Sequence, residues 1–317
     1  MLSWEHIYEL ALKIAVRRRL KNLEQLQRFN VVKDRYSKIC NSLLNGSEGS
    51  NTVSKGYDWT AWAGAVRRAF SDGVPLGFLS HPTISFTMVY ARRRGVRLSR
   101  LMIKDVEQVF GKDAASRLIH EDYIGLPVIV SAAYMTSANR CYHASHLATY
   151  TQVCKRNFWD SESIFEWGGG YGNMARIIRK MKPSITYTII DLPELLSLQY
   201  VYLVSLEGED NVHIVQPGNM PQLVKGKINL LSSELAVNKG GALVCDSFIS
   251  TWALTESPQE AQSFVRKNKF FGAKNILLAS LRNENNYLAA CLDDTSLLRI
   301  PVPEYKGIGK GHEYWLR

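Results

Sequence analysis

The chain of 317 residues lacks several features that would place it in a membrane or an oxidising compartment. It has no run of 18 or more apolar residues, so we expect no transmembrane helix. Its five cysteines are scattered and form no Cys-x-x-Cys pair, which argues against a disulfide framework and a structural zinc site. The basic cluster near the N-terminus follows the apolar segment, which is the reverse of a signal peptide. We therefore predict a cytoplasmic protein with reduced thiols.

Acidic residues are outnumbered by basic ones, 29 against 39, and the formal net charge is +10. Many of the arginines cluster in the first hundred residues, at 17–19, 67–68 and 92–94. Such a surface can attract nucleic acid, anionic lipid or an anionic small substrate. Runs of charge are more often solvated helix faces, and we interpret these runs in that way.

Two regions with different patterns follow one another along the chain. Residues 1–155 carry apolar side chains at steps of three and four, which predicts mainly helices, with a polar glycine-rich loop at 45–56. From residue 156 onward, short apolar runs rich in β-branched residues alternate with helical stretches. This alternation predicts a doubly wound α/β fold with a parallel sheet covered on both faces. The expected strands are SIFEW, ITYTIIDL, NVHIVQ, GALVCD, NILLAS, LLRIPV and EYWLR.

A glycine-rich segment, IFEWGGGYGNM, joins the first of these strands to a helix. Glu166 ends the strand, and Gly168, Gly170 and Gly172 form a G-x-G-x-G turn. Glycine permits positive φ and lets a ligand approach the backbone closely. Nucleotide-like ligands bind outside the carboxyl ends of such strands, where the next helix offers free N–H groups. The segment therefore predicts a cofactor site.

Asp191 follows Gly172 by 19 residues and ends the next predicted strand. An acidic side chain there can accept both hydroxyls of a ribose, although alone it could cap the helix that begins with PELLSL. A dinucleotide fingerprint requires a third glycine where this chain has Asn173. A nicotinamide-dependent oxidoreductase is therefore the less favoured of two readings.

Glu166, the G-x-G-x-G turn and Asp191 together resemble the class I S-adenosylmethionine-dependent methyltransferases, over roughly residues 160–317. The resemblance implies a mostly parallel, seven-stranded Rossmann-like sheet with an antiparallel last strand, HEYWLR. It also implies S-adenosyl-L-methionine as cofactor, with the turn around its amino-acid end, Asp191 at its ribose and the segment PGNMP against its adenine. The cofactor-binding residues implied are Glu166, Gly168, Gly170, Gly172, Asp191, Leu192, Asn219, Met220, Asp246 and Ser247.

Three further segments, EDYIGLP, TSANRCYHASHL and DSFISTWALTESP, are similar to the bacterial putative sugar O-methyltransferase family. That similarity spans most of residues 75–317. It implies O-methylation of a sugar or a glycosylated small molecule. It also implies a helical region, 1–155, that covers the substrate and forms a homodimer, and a cofactor-binding domain, 156–317. An acceptor amine or carboxylate stays open as an alternative.

A sugar hydroxyl has a very high pKa, so methylating it requires a base. The resemblance puts Asp246 at a strand tip beside the methyl group, and His143, His146 and Glu256 are the other candidates. Asp246 could instead cap a helix or loop, and Glu256 could be an acid favoured by a helix dipole. His143 and His146 share one helix face, a spacing that is often structural. Arg140, one turn earlier, could hold a carboxylate or phosphate, although a solvated surface position is the favoured interpretation.

Two motifs of other methyltransferases are missing. Metal-assisted O-methyltransferases carry an Asp-Asn pair after the fifth strand, where this chain reads SLRNENN, so we predict no metal. Asp246 with Asp293 or Asp294 is the alternative metal site. Nucleic-acid amino-methyltransferases carry an Asn/Asp-Pro-Pro-aromatic motif where this chain reads DSFIST, so we predict no nucleic-acid partner. A non-catalytic binding module is the last alternative, and it is disfavoured because the cofactor motifs are intact.

Overall fold

The structure, a computed structural model, describes residues 14–16, 18, 20, 24–45, 59–89, 92–218, 220–281, 296–303 and 311–317. The helices are α1 (Glu24–Val32), α2 (Tyr36–Asn45), α3 (Trp59–Ala69), α4 (Pro82–Ser85), α5 (Arg92–Phe110), α6 (Lys112–Ile119), α7 (Ala138–Cys154), α8 (Asn173–Met181), α9 (Pro193–Glu207), α10 (Ser233–Lys239), α11 (Ala253–Glu256) and α12 (Gln259–Lys267). The strands are β1 (Ile129–Ser131), β2 (Thr136–Ser137), β3 (Ser163–Trp167), β4 (Thr186–Asp191), β5 (Val212–Ile214), β6 (Ile228–Ser232), β7 (Ser247–Thr251), β8 (Asn275–Leu281), β9 (Leu298–Pro301) and β10 (His312–Leu316).

Eight of the described strands form one sheet, in the order β5-β6-β4-β3-β7-β8-β10-β9. The six strands from β5 to β8 in this order are parallel, and β10 is antiparallel to both β8 and β9. The α/β, Rossmann-like class and the antiparallel last strand are therefore confirmed. The strand count is eight rather than seven, because β6 lies between β4 and β5 in addition to the predicted strands.

Two strand assignments were wrong, and both errors involve long-range pairing. Residues 228–232, which we had not predicted as a strand, form β6 and pair with β4. Ile228 and Leu231 in this segment and Leu235 after it recur at helical steps, so the pattern did not indicate a strand. The fourth strand is not GALVCD but the following SFIST, whose hydroxyls are buried. Ser247 bonds to Ser161 at 2.5 Å, and Ser250 donates to the Trp167 carbonyl at 2.9 Å.

The N-terminal helices pack on the sheet through α9. This helix is buried over nearly its whole length and contacts β4, β5 and β6 on one side and α1, α2 and α3 on the other. Within the predicted helical region, a 3-10 turn at Lys33–Arg35 separates α1 from α2. Gly111, whose φ is +77°, separates α5 from α6. None of the described helices is long and apolar enough to cross a membrane.

A buried ion network ties the helical region to the sheet domain. Arg140 of α7 is fully buried and lies 3.1 Å from Glu121 and 2.9 Å from Asp122. Arg176 of α8 lies 2.7 Å from both Asp122 and Glu207. Burial would raise the pKa of Asp122, but the nearby Arg140, Lys180 and Arg176 charges outweigh it and hold that pKa well below its usual value. Our suggestion that Arg140 binds a substrate or cofactor anion is therefore wrong, because its charge is matched within the fold.

Candidate functional site

A cavity of about 740 Å³ lies at the carboxyl ends of β3, β4, β6 and β7. Its volume is within the range of small-molecule sites, about 300–1,000 Å³. The glycine turn, the start of α9, the start of α10 and the segment after β7 form one side. Side chains of the N-terminal helical region form the other. The cavity is lined at residues 44, 59, 63, 87–89, 139, 142–143, 166–171, 190–195, 233–234, 237–238, 251–253, 256–258, 260–261 and 312.

The glycine turn adopts the backbone that its sequence predicts. Gly168, Gly170 and Gly172 have φ values of +78°, +58° and +95°, a region that other residues rarely adopt. Gly168 and Gly170 line the cavity, whereas Gly172 caps α8 behind the turn and faces Leu203. A Cβ atom on Gly168 would overlap that of Ala253, while a Cβ atom on Gly170 would meet only the Met88 sulfur, at 4.0 Å. The close approach of Ala253 therefore requires glycine at position 168, whereas position 170 faces open cavity.

Asp191 holds the glycine turn in place. Its Oδ1 accepts from the Leu192 backbone N–H at 2.8 Å. Its Oδ2 accepts from the Gly169 N–H at 2.9 Å and from Gln199 Nε2 at 2.8 Å. Gln199 also donates to the Gly170 carbonyl at 2.9 Å. Burial raises the pKa of Asp191 to about 7 despite these donors. The carboxylate thus joins the end of β4, the turn and α9.

Glu166 lies buried beneath the same turn. Tyr187 of β4 donates its hydroxyl to Glu166 Oε2 at 2.9 Å. Burial, with a smaller contribution from the Asp191 charge, raises the pKa of Glu166 to about 8 in spite of that donor. Glu166 is therefore largely protonated at neutral pH until positive charge enters the cavity.

Asp246 and Ser247 lie at the opposite edge of the sheet from the cavity, so both predicted roles at these positions are wrong. Because β7 begins at Ser247 rather than ending there, Asp246 is at the amino end of that strand. Its Oδ2 accepts from the Glu162 and Ser163 backbone N–H groups at 3.1 and 2.9 Å, and from Ser163 Oγ at 3.0 Å. Asp246 thus tethers neighbouring strands, where no cofactor or acceptor in the cavity can reach it.

The segment predicted to contact adenine is also displaced. Asn219 lies outside the described residues, and Met220 is 59% exposed and does not line the cavity. The reason is that Met220 follows the edge strand β5, whereas β6 occupies the position beside β4. Ser233 and Glu234, directly after β6, line the cavity in its place.

His143 lines the cavity, and its surroundings determine which ring nitrogen carries the proton. Asn173 Nδ2 donates to His143 Nδ1 at 3.0 Å. The neutral ring therefore holds its proton on Nε2 and can donate a hydrogen bond there. Burial and the charge of Arg140 lower the pKa of His143 to about 4, so the ring is neutral at physiological pH. His146 is buried, with its Nδ1 2.6 Å from the Tyr314 hydroxyl, and is structural.

The segment after β7 contacts the glycine turn, and its residue Trp252 has a strained backbone conformation. Trp252 has a φ of +68°, and its indole N–H donates to His312 Nδ1 at 2.8 Å. Its ring is stacked on that of Tyr142, with centroids 5.7 Å apart. These contacts fix Ala253 against Gly168. Backbone strain of this kind costs on the order of 1–3 kcal/mol and is common at functional sites.

Glu256, which ends α11, lines the cavity as predicted. Its side chain has access to solvent, and partial enclosure raises its pKa. Of the three predicted catalytic residues, the structure thus brings His143 and Glu256 to the cavity and leaves Asp246 outside it.

The charge of the lining is one-sided. Within the described chain, six carboxylate side chains line the cavity, and neither lysine nor arginine does so. The six are Glu166, Asp191, Glu194, Glu234, Glu256 and Glu260. Such a lining favours a positively charged ligand and disfavours a phosphorylated one. In the part of the chain described, no group of three or more His, Cys, Asp or Glu side chains could hold a metal ion. Asp293 and Asp294, the alternative ligands, lie outside that part.

Sequence reasoning missed Glu194, Gln199 and Trp252. Gln199 had a usable signal, because it is a lone amide side chain in the otherwise apolar stretch LLSLQYVYL. Glu194 was missed because an acidic residue in the first turn of a helix is usually explained by its favourable interaction with the helix dipole. Trp252 had no local signal, since its backbone conformation depends on packing between β7, β8 and β10.

Comparisons with known proteins give low similarities. No protein-family model matches the chain, and no curated protein sequence matches it. The CurJ carbon methyltransferase structure is 11% identical over 96% of this chain and 98% of its own, with a TM-score of 0.36. An O-methyltransferase family protein from Burkholderia thailandensis is 10% identical over 70% of each chain, with a TM-score of 0.34. An O-methyltransferase family 2 protein from Planctomyces limnophilus, in complex with apigenin, is 10% identical over 92% of this chain and 94% of its own, with a TM-score of 0.33. Values this low carry no argument about activity, which has to be derived from the site.

The contact between Gly168 and Ala253 predicts a size-dependent stability defect. Gly168→Ala combines a disfavoured φ with an overlap and should lower the free energy of unfolding by about 2 kcal/mol or more. Gly170→Ala, at an open position, should cost only about 1 kcal/mol. Adding Ala253→Gly to Gly168→Ala should recover part of the loss, measured by urea unfolding. Equal losses in the two single variants, or no recovery in the double variant, would contradict the contact.

The buried carboxyl of Glu166 predicts a pH-dependent stability. The pKa of Glu166 is 4.5 in the unfolded chain and about 8 in the folded protein. Between these two pH values the folded state therefore binds more protons than the unfolded state. The free energy of unfolding therefore falls as pH rises through this window, by up to about 1.4 kcal/mol per pH unit from this group. Glu166→Gln should remove that slope, so its stability relative to wild type should grow up to about pH 8 and then level off.

Tyr187→Phe provides the companion measurement. The tyrosine hydroxyl favours the ionised carboxylate, so removing it should extend the slope above pH 8. Urea unfolding at one-unit steps from pH 5 to 9 tests both variants. A stability difference between Glu166→Gln and wild type that stays constant over this range would show that Glu166 is not held protonated.

Proposed function

We propose that this protein is an S-adenosyl-L-methionine-dependent O-methyltransferase that acts on a hydroxyl of an uncharged sugar or glycosylated small molecule. The observation that carries the proposal is the carboxylate-lined cavity beside the glycine turn, at the carboxyl ends of parallel strands. The position is that of a nucleotide-like ligand in this fold class. The charge of the lining supports a cationic ligand over the other ligands that such a position can take.

When bound, S-adenosylmethionine supplies a methyl group activated by a positive sulfonium, and S-adenosylhomocysteine is the product. The described lining fits its sulfonium and ammonium charges, since it has carboxylates and no lysine or arginine. Glu166 and the residues at 168–170 would hold the amino-acid end. Leu192 and Ser233 would contact the adenine. The two phosphates of a nicotinamide dinucleotide would instead need positive charge or free N–H groups.

Two residues of the cavity would act on the acceptor. His143 would donate its Nε2–H to the acceptor oxygen and orient it, since its Nδ1 is occupied by Asn173. Glu256 would accept the proton that the hydroxyl loses, and its raised pKa makes it a better base at neutral pH than an ordinary carboxylate. Tyr142 and Trp252 form an aromatic wall against which a sugar ring can pack.

We propose that residues 1–155 cover the acceptor and that residues 156–317 bind the cofactor. Leu44, Trp59, Met88 and His143 from the first region and the glycine turn from the second line the same cavity, which supports this division. The homodimer, the cytoplasmic location and the lack of a nucleic-acid partner stay predictions.

Calorimetric titration with S-adenosylmethionine and S-adenosylhomocysteine tests the cofactor. We expect micromolar dissociation constants for both and no heat with NADH. Gly170→Arg should abolish binding, because the arginine would project into open cavity and carry positive charge. Asp191→Ala should weaken binding by releasing the turn. Asp246→Asn, at the opposite edge of the sheet, is the control and should bind like the wild type. If the folded wild type binds neither S-adenosylmethionine nor S-adenosylhomocysteine, the proposed methyltransferase function is refuted.

Transfer of an isotope-labelled methyl group tests the acceptor. Neutral glycosides should be methylated on oxygen, whereas sugar phosphates and uronic acids should not react, because the carboxylates would repel them. Glu256→Gln should lower kcat by about 10²- to 10⁴-fold while leaving S-adenosylhomocysteine affinity nearly unchanged. Preferred methylation of anionic sugars, or of amines, would overturn this assignment and leave the cofactor assignment intact.

A further inference from the structure

A second cavity, of about 230 Å³, adjoins the carboxylate-lined one. Val89, Asn139 and Tyr171 line both cavities, so the two meet at these residues. Tyr171 follows Gly170 in the glycine turn, which places the meeting point next to the proposed methyl donor. An apolar protein cavity of about 150 Å³ can take a benzene molecule, so the second cavity can hold a group of at least that size.

The second cavity differs from the first in charge. In the described chain no charged side chain lines it, whereas six carboxylates line the first. The apolar residues that line the second cavity are Leu79, Val89, Pro127, Val128, Val130 and Ala138. The Ser137 hydroxyl, also at this cavity, is already used in the fold, since it donates to Glu121 at 2.5 Å and accepts from the Arg140 N–H at 3.1 Å. Such a lining favours an uncharged, apolar group.

Two half-buried valines form one wall of the second cavity. Val128 and Val130 line it from either side of Ile129, which is buried in the hydrophobic core. Apolar surface that stays partly open to water gains free energy when a ligand covers it. The wall is therefore suited to contact with an apolar ligand group.

The segment before these valines has an uncommon backbone conformation. Tyr123, Gly125 and Leu126 have φ values of +64°, +89° and +50°. A Cβ atom on Gly125 would lie 2.7 Å from the side chain of Leu79, which itself lines the cavity. The Leu79 N–H donates to the Gly125 carbonyl at 3.3 Å. Positive φ at residues other than glycine persists only where the surroundings over-determine it, and it is common at ligand sites.

Helix α7 leads from the first cavity to the second. Asn139, Tyr142 and His143 lie on one face of this helix, and all three line the first cavity. His143 is the proposed donor to the acceptor oxygen, and Asn139 lies about 6 Å before it along the helix, at the border of the second cavity. Asn139 Nδ2 donates to the Tyr171 hydroxyl at 3.0 Å, which fixes both side chains at the border. A substituent on the side of a sugar facing away from His143 would therefore enter the second cavity.

We propose that the second cavity holds the aglycone of a glycoside acceptor, and that this aglycone is uncharged and apolar. The inference rests on the proposed methyltransferase function and narrows its acceptor from sugars in general to glycosides of this kind. The sugar ring packs against Tyr142 and Trp252 in the first cavity, and the glycosidic bond lies beside Asn139 and Tyr171.

Ligand-observed NMR titration with methyl, ethyl, propyl and butyl β-glucosides tests the proposal, with S-adenosylhomocysteine present. Each methylene that enters the cavity should strengthen binding by about fourfold, because it leaves water for apolar surroundings. A carboxylate or ammonium group at the end of the butyl chain should remove most of this gain, because no charged side chain of the described lining would pair with it.

Two variants and a control locate the effect. Val130→Phe should fill part of the second cavity and make the four glucosides bind with nearly equal affinity. Val128→Phe should do the same, which keeps the test decisive if one of the two variants fails to fold. Val31→Phe makes the same exchange at a valine that is 63% exposed and lines neither cavity, so it should keep the dependence on chain length. S-adenosylhomocysteine should bind all three variants as it binds the wild type.

The outcomes separate this inference from the proposed function. If S-adenosylhomocysteine binds but no glucoside binds, or affinity does not rise with chain length, the aglycone assignment is overturned and the cofactor assignment stands. The same holds if the rise persists in both Val130→Phe and Val128→Phe. If the wild type binds no S-adenosylhomocysteine, the proposed function is refuted and the assignment of this cavity to its acceptor is overturned with it.

Discussion

The site depends on the hydrogen bonds that Asp191 accepts. Three segments distant in sequence, the end of β4, the glycine turn and α9, meet at this one carboxylate. A turn with three glycines at positive φ has a large conformational entropy when free, so it keeps one shape only where the surroundings over-determine it. Asp191 and Gln199 supply that constraint from below, and Ala253 supplies it from the side. These contacts together define the conformation of this cavity wall.

The opposite wall depends on how the helical region is attached. The apolar helix α9 is packed between the sheet and α1 to α3, so the N-terminal helices are positioned by the same element that holds Gln199. The buried pairs of Arg140 and Arg176 with Asp122 fix α7 to α8. Buried ion pairs are weak evidence for stability, but they do specify one arrangement. Since α7 carries His143, this arrangement also positions that ring at the cavity.

Much of the C-terminal half was predictable because its signals are local. The strand before the turn, the turn itself and Asp191 lie within residues 163–191, and each was found at its predicted place. The errors arose where a segment becomes a strand only through hydrogen bonds to strands distant in sequence. Residues 228–232 form a strand only through β4, and SFIST is buried only because its hydroxyls find partners across the sheet. Once β6 and β7 were misplaced, Met220 and Asp246 followed, since strand order decides which loop faces the cavity.

The raised pKa values of Glu166 and Asp191 give the proposed reaction a direction. Glu166 tends to be protonated at neutral pH and Asp191 is partly protonated, because burial penalises their charge. A cation that enters the cavity would lower both pKa values. The two carboxyl groups would then ionise and attract the cation. Methyl transfer removes the sulfonium charge, so under the proposed function the product loses the interaction that favoured ionised carboxylates. Under the proposed function, this loss of charge favours binding of S-adenosylmethionine over its product.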